Sequence, residues 1–535
     1  MNARKIFFGA TLAAALVSFG FAEDNSADLF ADSSSSDSAA QSDSSSAASA
    51  FDLTLSGDHT FAFRAPAYFE NDNGNYKGTK HPTFGTEFGA DAKDGTVKLV
   101  SHWKFDIDPL AASASNPNAN WAGSYSIKPM ENYVSWNPDK LKLSAGYQIF
   151  SWGVADKKNP TDNLNPRDYT ASVNADKIPV LAADLTVYPV DGVSIEAVGI
   201  PSKSASEYPQ DFAALVAGTH AATAKAGGLT PASAKVEYAD KRFDPKNFVA
   251  GAKVNFNSAV CDLSLDYLYD LDQYYTPVFA VTDKGTVTVP SKLSPTGYAT
   301  IPAYGLESVS LDRKRIHRIG GDAKTTLGKF GLWLEAAYNV TENSGSEDYS
   351  IRKSKLEYTL GSDVNFGPND VGYVNLQYIG AWIPDFSTET GSLNDLVPLK
   401  GGTQSSAEKF YQRASVNALG LDTEGLMQGI TCNVKYELAD ALVTPQLTAA
   451  YLMPFKYDDA KETRYGSLVV NPEIDLKPVD SFHVKVGADL YYAWHKVSGN
   501  DSITLDTATN PVGQYTPSNS AYLKVEYKWN ADIKK

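Results

Sequence analysis

The chain has 535 residues and a formal net charge of −16, and it carries 30 Tyr, 24 Phe and 8 Trp against 4 Met and 2 Cys. That length suits two or three ordinary soluble domains or one large closed sheet, and the aromatic excess favours strands and interfacial belts. So acidic a surface argues against nucleic acid as a partner, and two cysteines rule out a disulfide framework.

Arg4 and Lys5, the apolar run from Ile6 to Phe21 and the small-x-small site Gly20-Phe21-Ala22 predict a secretory leader over residues 1–22. No Cys stands at the expected cleavage point, so a lipid anchor is not expected there. Past Ala22 no apolar run approaches the ~20 residues that a spanning helix requires. The exported chain is therefore either soluble outside the cytoplasm or inserted as a barrel. Residues 23–50 are Ser, Ala and Asp in low-complexity order, too polar to offset the entropy of folding, and predict a disordered tail on the periplasmic side.

From Phe51 to the end the pattern has a period of two, which is that of a strand with unlike faces. Phe51, Leu53, Leu55, Phe61 and Phe63 alternate with mostly polar neighbours, and Phe84, Phe88 and Ala90 do the same before the turn Lys93-Asp94-Gly95. The next strand sets Val97, Leu99, Trp103, Phe105 and Ile107 against Lys98, His102, Lys104 and Asp106. The last sets Ala521, Leu523, Val525, Tyr527 and Trp529 against Tyr522, Lys524, Glu526 and Lys528, with Asn530 to Lys535 following it. Cys261 and Cys432 each share the apolar parity of their strand, beside Leu263 and Leu265 or Ile430 and Val434, and read as small lipid-facing hydrophobes.

A half-buried soluble sheet alternates too; the asymmetry of the connections separates the two classes. Short turns are predicted near 92–95, 137–140, 189–192, 257–259, 328–329, 365–370, 439–442 and 477–480. Long connections intervene at about 64–82, 108–124, 150–179, 201–246, 270–314, 341–353, 381–427, 453–464 and 495–518. Strict alternation of eight short with nine long connections predicts 18 strands over residues 51–535: an all-β, antiparallel, up-and-down transmembrane barrel of the outer membrane, with short periplasmic turns and long extracellular loops. Outer-membrane lipids and the barrel-assembly machinery are the partners such a chain implies.

The third long connection is the most distinctive. Pro160 and Pro166 restrict it, and its Asn and Asp side chains fold back on neighbouring amides, so it is expected to be ordered. If it folds inward, Asp156, Asp162, Arg167 and Asp168 are candidate constriction groups with Trp152 packing its base; the alternative is that these residues only brace the loop against the wall. The basic cluster Arg313-Lys314-Arg315 with His317 and Arg318 belongs to the expected outer rim, and Asp211 to Ala226 is a candidate short helix.

No metal, cofactor or catalytic set emerges. The seven histidines, at 59, 81, 102, 220, 317, 483 and 495, show no ligand spacing, and there is neither a Gly-x-Ser-x-Gly elbow nor a phosphate-cradling glycine loop.

The stretch GYQIFSWGVAD followed by NPTDNLNPRD resembles the Gly-x-Gln-x-x-x-Trp-Gly … Asn-Pro-x-Asp signature of a group of porin-like outer-membrane proteins of poorly defined function, near the alginate-export-like barrels. Gly146, Gln148, Trp152, Gly153, Asn165, Pro166 and Asp168 are the matching positions, and the likeness is best over residues 141–200. It implies a barrel and no particular substrate. The resulting expectation is a passive channel for small or oligomeric hydrophilic solutes. Its alternatives are a surface barrel whose loops bind extracellular ligands, a narrow barrel for hydrophobic compounds, and a soluble periplasmic β-protein.

Overall fold

The two-residue alternation is laid out as one closed antiparallel sheet. The structure, a computed structural model, describes residues 51–66, 83–107, 125–168, 176–207, 235–238, 244–273, 275–290, 295–342, 351–384, 408, 425–454, 463–497, 504–505, 512, 515–516 and 519–534. The expected leader, tail and 211–226 helix lie outside these residues. The spanning strands are β1 (Phe51–Pro66), β2 (Thr83–Asp94), β3 (Val97–Ile107), β4 (Tyr125–Trp136), β5 (Leu141–Gln148), β6 (Val180–Val190), β7 (Val193–Ile200), β8 (Val249–Phe256) and β9 (Cys261–Leu271). They continue as β10 (Arg315–Leu327), β11 (Phe330–Thr341), β12 (Lys355–Phe366), β13 (Gly372–Trp382), β14 (Leu426–Tyr436), β15 (Val443–Pro454), β16 (Thr463–Val479), β17 (Phe482–Val497) and β18 (Ser520–Lys534).

Each strand pairs with the one before it, and β1 closes the cylinder on β18 from Asp52↔Lys534 to Pro66↔Ser520. Closure gives every ladder group a partner where lipid offers none, and it leaves no edge. A two-residue strand, Thr504–Leu505, adds to β17 without spanning. All eight predicted short turns join hairpins, and the strand ends that flank the nine long connections lie at the opposite rim. The sequence pattern ends the last strand near Trp529, whereas β18 continues to Lys534 because β1 begins early enough to pair with it.

Burial shows which face meets which solvent. Along β9, Leu263, Leu265 and Tyr267 are 47, 67 and 43% exposed, while Ser264, Asp266 and Leu268 between them are 4, 6 and 1% exposed. Greasy side chains outside and carboxylates inside invert the order of a water-soluble protein. This inversion rules against the soluble periplasmic β-protein: the apolar girdle requires lipid, and a closed barrel of even strand number is the outer-membrane solution. Cys261 and Cys432 are free thiols on the lipid-facing parity.

The inner wall is not uniformly wet. Val180 and Ala182 on β6, Val198 and Ile200 on β7, Val249 on β8 and Leu268 on β9 point inward and are buried with Phe150, Trp152 and Leu164 of the third long loop. Across the barrel, Ile379, Ala381, Ala450, Leu452, Val469, Tyr491 and Ala493 cluster with Val512 and Tyr515 from the connection before β18. Parity is kept in both places. What changes is that a loop replaces water against the wall, so apolar residues are stable there.

Leu265, halfway along β9, tests the orientation. Leu265→Arg is expected to cost about 2–4 kcal/mol in denaturant unfolding from lipid vesicles, the range for a cation at the bilayer midplane. Asn255→Arg at a similar depth on the inward parity of β8 should cost less than half of that.

Candidate channel constriction

The third long loop enters the lumen and lies across the wall from β5 to β13. Its start is fixed by Asn165, whose side chain accepts from Phe150 N (2.7 Å) and donates to Gln148 O and Ile178 O (3.0 Å each). This one amide ties the end of β5 to both ends of the loop. Trp152 then lies flat on the wall, 2% exposed, and its indole N–H donates to Glu196 Oε2 on β7 at 3.1 Å. A Cβ on Gly251 of β8 would stand 2.8 Å from the indole Cη2, so the wall is glycine where the ring rests.

At Gly153 the chain turns with φ +88°, a conformation that L side chains rarely adopt. A Cβ at that position would also meet Glu335 Oε2 at 2.5 Å. The turn aims a run of backbone donors at this carboxylate, which sits fully buried on the inward face of β11. Val154 N and Ala155 N donate to Oε2 at 2.9 and 3.0 Å, and Thr161 N and Thr161 Oγ donate to Oε1 at 2.7 and 3.0 Å. Four donors converge on the two oxygens of one buried side chain, and each would be costly to leave buried without its acceptor.

Beyond the clamp the loop reaches β12 and β13. Lys158 Nζ meets Glu357 Oε1 at 3.1 Å, its carbonyl accepts from Thr359 Oγ at 2.7 Å, and Asp156 accepts from the side chain of Asn375. Burial raises the Asp156 carboxyl above the ordinary aspartate value, with the Asn375 bond and Lys157 opposing it. On the return, Asp162 pairs with Arg167 (2.9 Å) and Lys177 (2.7 Å) inside the loop, and Asp168 meets Lys128 of β4 at 3.4 Å. Trp152, Asp162 and Arg167 are thus buried, and Asp156 and Asp168 half-buried with partners on the wall.

The next long connection supports this one from above. Lys203 donates to both oxygens of Asp270 on β9 (2.8 and 2.9 Å) and to Asn163 O. Burial lowers its ammonium to about 8, against the pull of Asp270. Arg313 donates to Lys203 O (2.6 Å) and Ser204 O (3.0 Å). Arg318, Asn339 and Glu357 continue the chain of hydrogen bonds along β10, β11 and β12. Beside this network is a cavity whose lining has five basic residues, Lys158, Arg318, Arg352, Lys353 and Lys355, against two acidic ones, Asp272 and Glu357. Among the described residues no cluster of side chains has the makings of a metal site.

No family model matches this sequence, and comparison with curated proteins finds no match. Solved structures align over most of this chain at low identity. OpdK, an outer-membrane protein of Pseudomonas aeruginosa, aligns with a TM-score of 0.46 at 10% identity, over 90% of this chain and 99% of that one. OccAB1 of Acinetobacter baumannii aligns at 0.46 and 9%, over 90% and 97%, and OccD3 (OpdP) of P. aeruginosa at 0.42 and 9%, over 90% and 91%.

Sequence reasoning did not find Glu335, Glu196, Glu357 or Asn375. Each is a polar residue on the inward parity, a class with dozens of members, and only the fold of the loop singles these out. A weaker signal exists for the apolar part. Val198-Gly199-Ile200 and Phe248-Val249 put branched apolar residues on the inward parity beside long loops, which marks wall that something covers.

Glu335→Ala leaves four donors facing an apolar gap, at ~1–3 kcal/mol for each that stays buried and unpaired, so the loop should leave the wall. Larger and noisier single-channel conductance is expected, with trypsin cutting after Lys157 or Lys158 in the folded barrel. Asp156 supplies a pH dependence. With a raised value when docked, its carboxyl holds a proton more tightly there than in a detached loop, so docking strengthens as pH falls and weakens as pH rises. Open-loop excursions in single-channel records should become rarer in acid, and Asp156→Asn should keep them rare at neutral pH.

Proposed function

We propose that this protein is a passive outer-membrane channel for small hydrophilic solutes, with a preference for those that carry an anionic group. The observation behind this reading is the basic-lined cavity beside the constriction loop, framed by Lys158, Arg318, Arg352, Lys353 and Lys355. The net charge of −16 alone would suggest the opposite selectivity. Permeation, however, is filtered by the charges nearest the narrow part of the path, where field lines are focused and screening is weak. Asp156, Asp162, Arg167 and Asp168 act in this reading chiefly by setting the position of the loop, and through it the pore width. The proposed solute range includes oligomeric hydrophilic compounds. The partners proposed are outer-membrane lipids, these solutes and the barrel-assembly machinery.

A second reading has one observation in its favour. The hairpin Thr276–Pro290 and Tyr298–Asp312, with Lys235–Tyr238 added in parallel, forms a three-stranded sheet separate from the barrel. A folded module on the long-loop side suits the capture of an extracellular ligand.

Refolded protein in planar bilayers under a KCl gradient should show stepwise conductance with a reversal potential on the anion side. Arg352→Glu together with Lys353→Glu should move that potential toward cations. Absence of conductance above bare lipid, combined with ligand retention by the full-length barrel that is lost when residues 276–312 are replaced by a short linker, would favour the second reading.

A further inference from the structure

Parity divides the basic cluster at the start of β10 between three roles. Arg313 braces loop backbone, Arg318 turns into the lumen, and Arg315 and His317 point out of the barrel toward the membrane. On six other strands the outward residue near the long-loop rim is apolar: Phe63, Phe84, Ile107, Tyr125, Leu181 and Trp382. A cation and an imidazole at that level on β10 therefore interrupt the girdle.

They are built into a platform. The Arg315 guanidinium lies over the Tyr269 ring, 4.6 Å from its centroid, and donates to the carbonyls of Phe248 and Lys246. His317 Nδ1 shares a 2.7 Å hydrogen bond with Tyr267 Oη, and its ring sits 5.3 Å from that of Tyr269. Lys246 is exposed beside them. The nearest acids are engaged elsewhere, Asp244 with the Lys246 backbone N–H and Asp312 with Lys314. Level with the platform, the outer wall is smooth. The ladder runs Ala145↔Ala183↔Gly199↔Ala250↔Tyr269↔His317, and a Cβ on Gly199 would meet nothing within 4 Å.

We infer that this face holds a phosphorylated lipid of the outer leaflet, its phosphate on Arg315, Lys246 and His317 and an acyl chain along the Ala/Gly shelf. Charge complementarity carries the headgroup: guanidinium arms fixed by stacking and carbonyl bonds are pre-organised for phosphate oxygens. Continuity with the lipid-facing girdle carries the tail. The inference needs the barrel to span the membrane and is independent of whether it conducts.

The test is native mass spectrometry of the full-length barrel in a neutral detergent, titrated with diphosphoryl lipid A or with phosphatidylcholine. Wild type should retain lipid A in preference to phosphatidylcholine. Arg315→Gln combined with Lys246→Gln should weaken retention roughly tenfold or more, since each basic group near an anionic lipid surface contributes about 1 kcal/mol. Gly199→Phe, which fills the shelf without touching the cations, should also weaken it while heat-modifiable migration and conductance stay as in wild type. Equal retention of the two lipids, or unchanged lipid A retention in both variants, overturns the inference. So does a dimer of the barrel that Gly199→Phe dissolves, because the shelf would then be covered by a second copy.

Discussion

One carboxylate holds the interior of this barrel together. Glu335 projects from the wall into a fully buried site, where a carboxyl group is stable only if its oxygens are engaged. The loop that crosses the lumen supplies that engagement from three main-chain N–H groups and one hydroxyl. The dependence is mutual. Without the carboxylate, a glycine turn and its neighbours would bury donors with no acceptor, and without the loop the acid would need water. Trp152 on Gly251, Lys158 on Glu357 and Asp156 on Asn375 spread the attachment over β8, β12 and β13, so the loop is a cross-member rather than a flap. The free width of the lumen beside β5 to β13 follows from where that cross-member rests.

The cylinder was legible in the sequence because its rules are local. Period two, turn residues such as Asp94-Gly95 and the alternation of brief with extended connections each act over a few residues, and together they give the strand number and both rims. The interior was less legible because its rules are not local. Asp162, Arg167 and Asp168 carry charges that look available in the sequence, yet Asp162 and Arg167 pair within the loop and Asp168 meets Lys128. Glu335, some 170 residues further on, is indistinguishable by sequence from other inward acids such as Asp322 or Asp363. The signature around Gly146, Trp152 and Asn165 falls on this loop, where Gly153 turns the chain and the Asn165 amide ties its two ends.

Charge in this protein is organised by position rather than by total. An acidic chain builds a basic-lined cavity beside the loop that crosses its lumen, and a single run of basic residues at the start of β10 is divided between the loop, the lumen and the outer surface by the alternation of the strand. A substitution that shifted the register of β10 by one residue would exchange Arg318 with His317 and disrupt all three at once.

The most direct test of the cross-member is a disulfide between its far end and the opposite wall. With Cys261 and Cys432 replaced by Ala, Asp156→Cys and Asn375→Cys should oxidise readily in the folded, lipid-inserted barrel and leave the single-channel conductance unchanged. Failure to form the bond in a barrel of native heat-modifiability, or a conductance that changes sharply when it forms, would mean that the loop does not rest where this account places it.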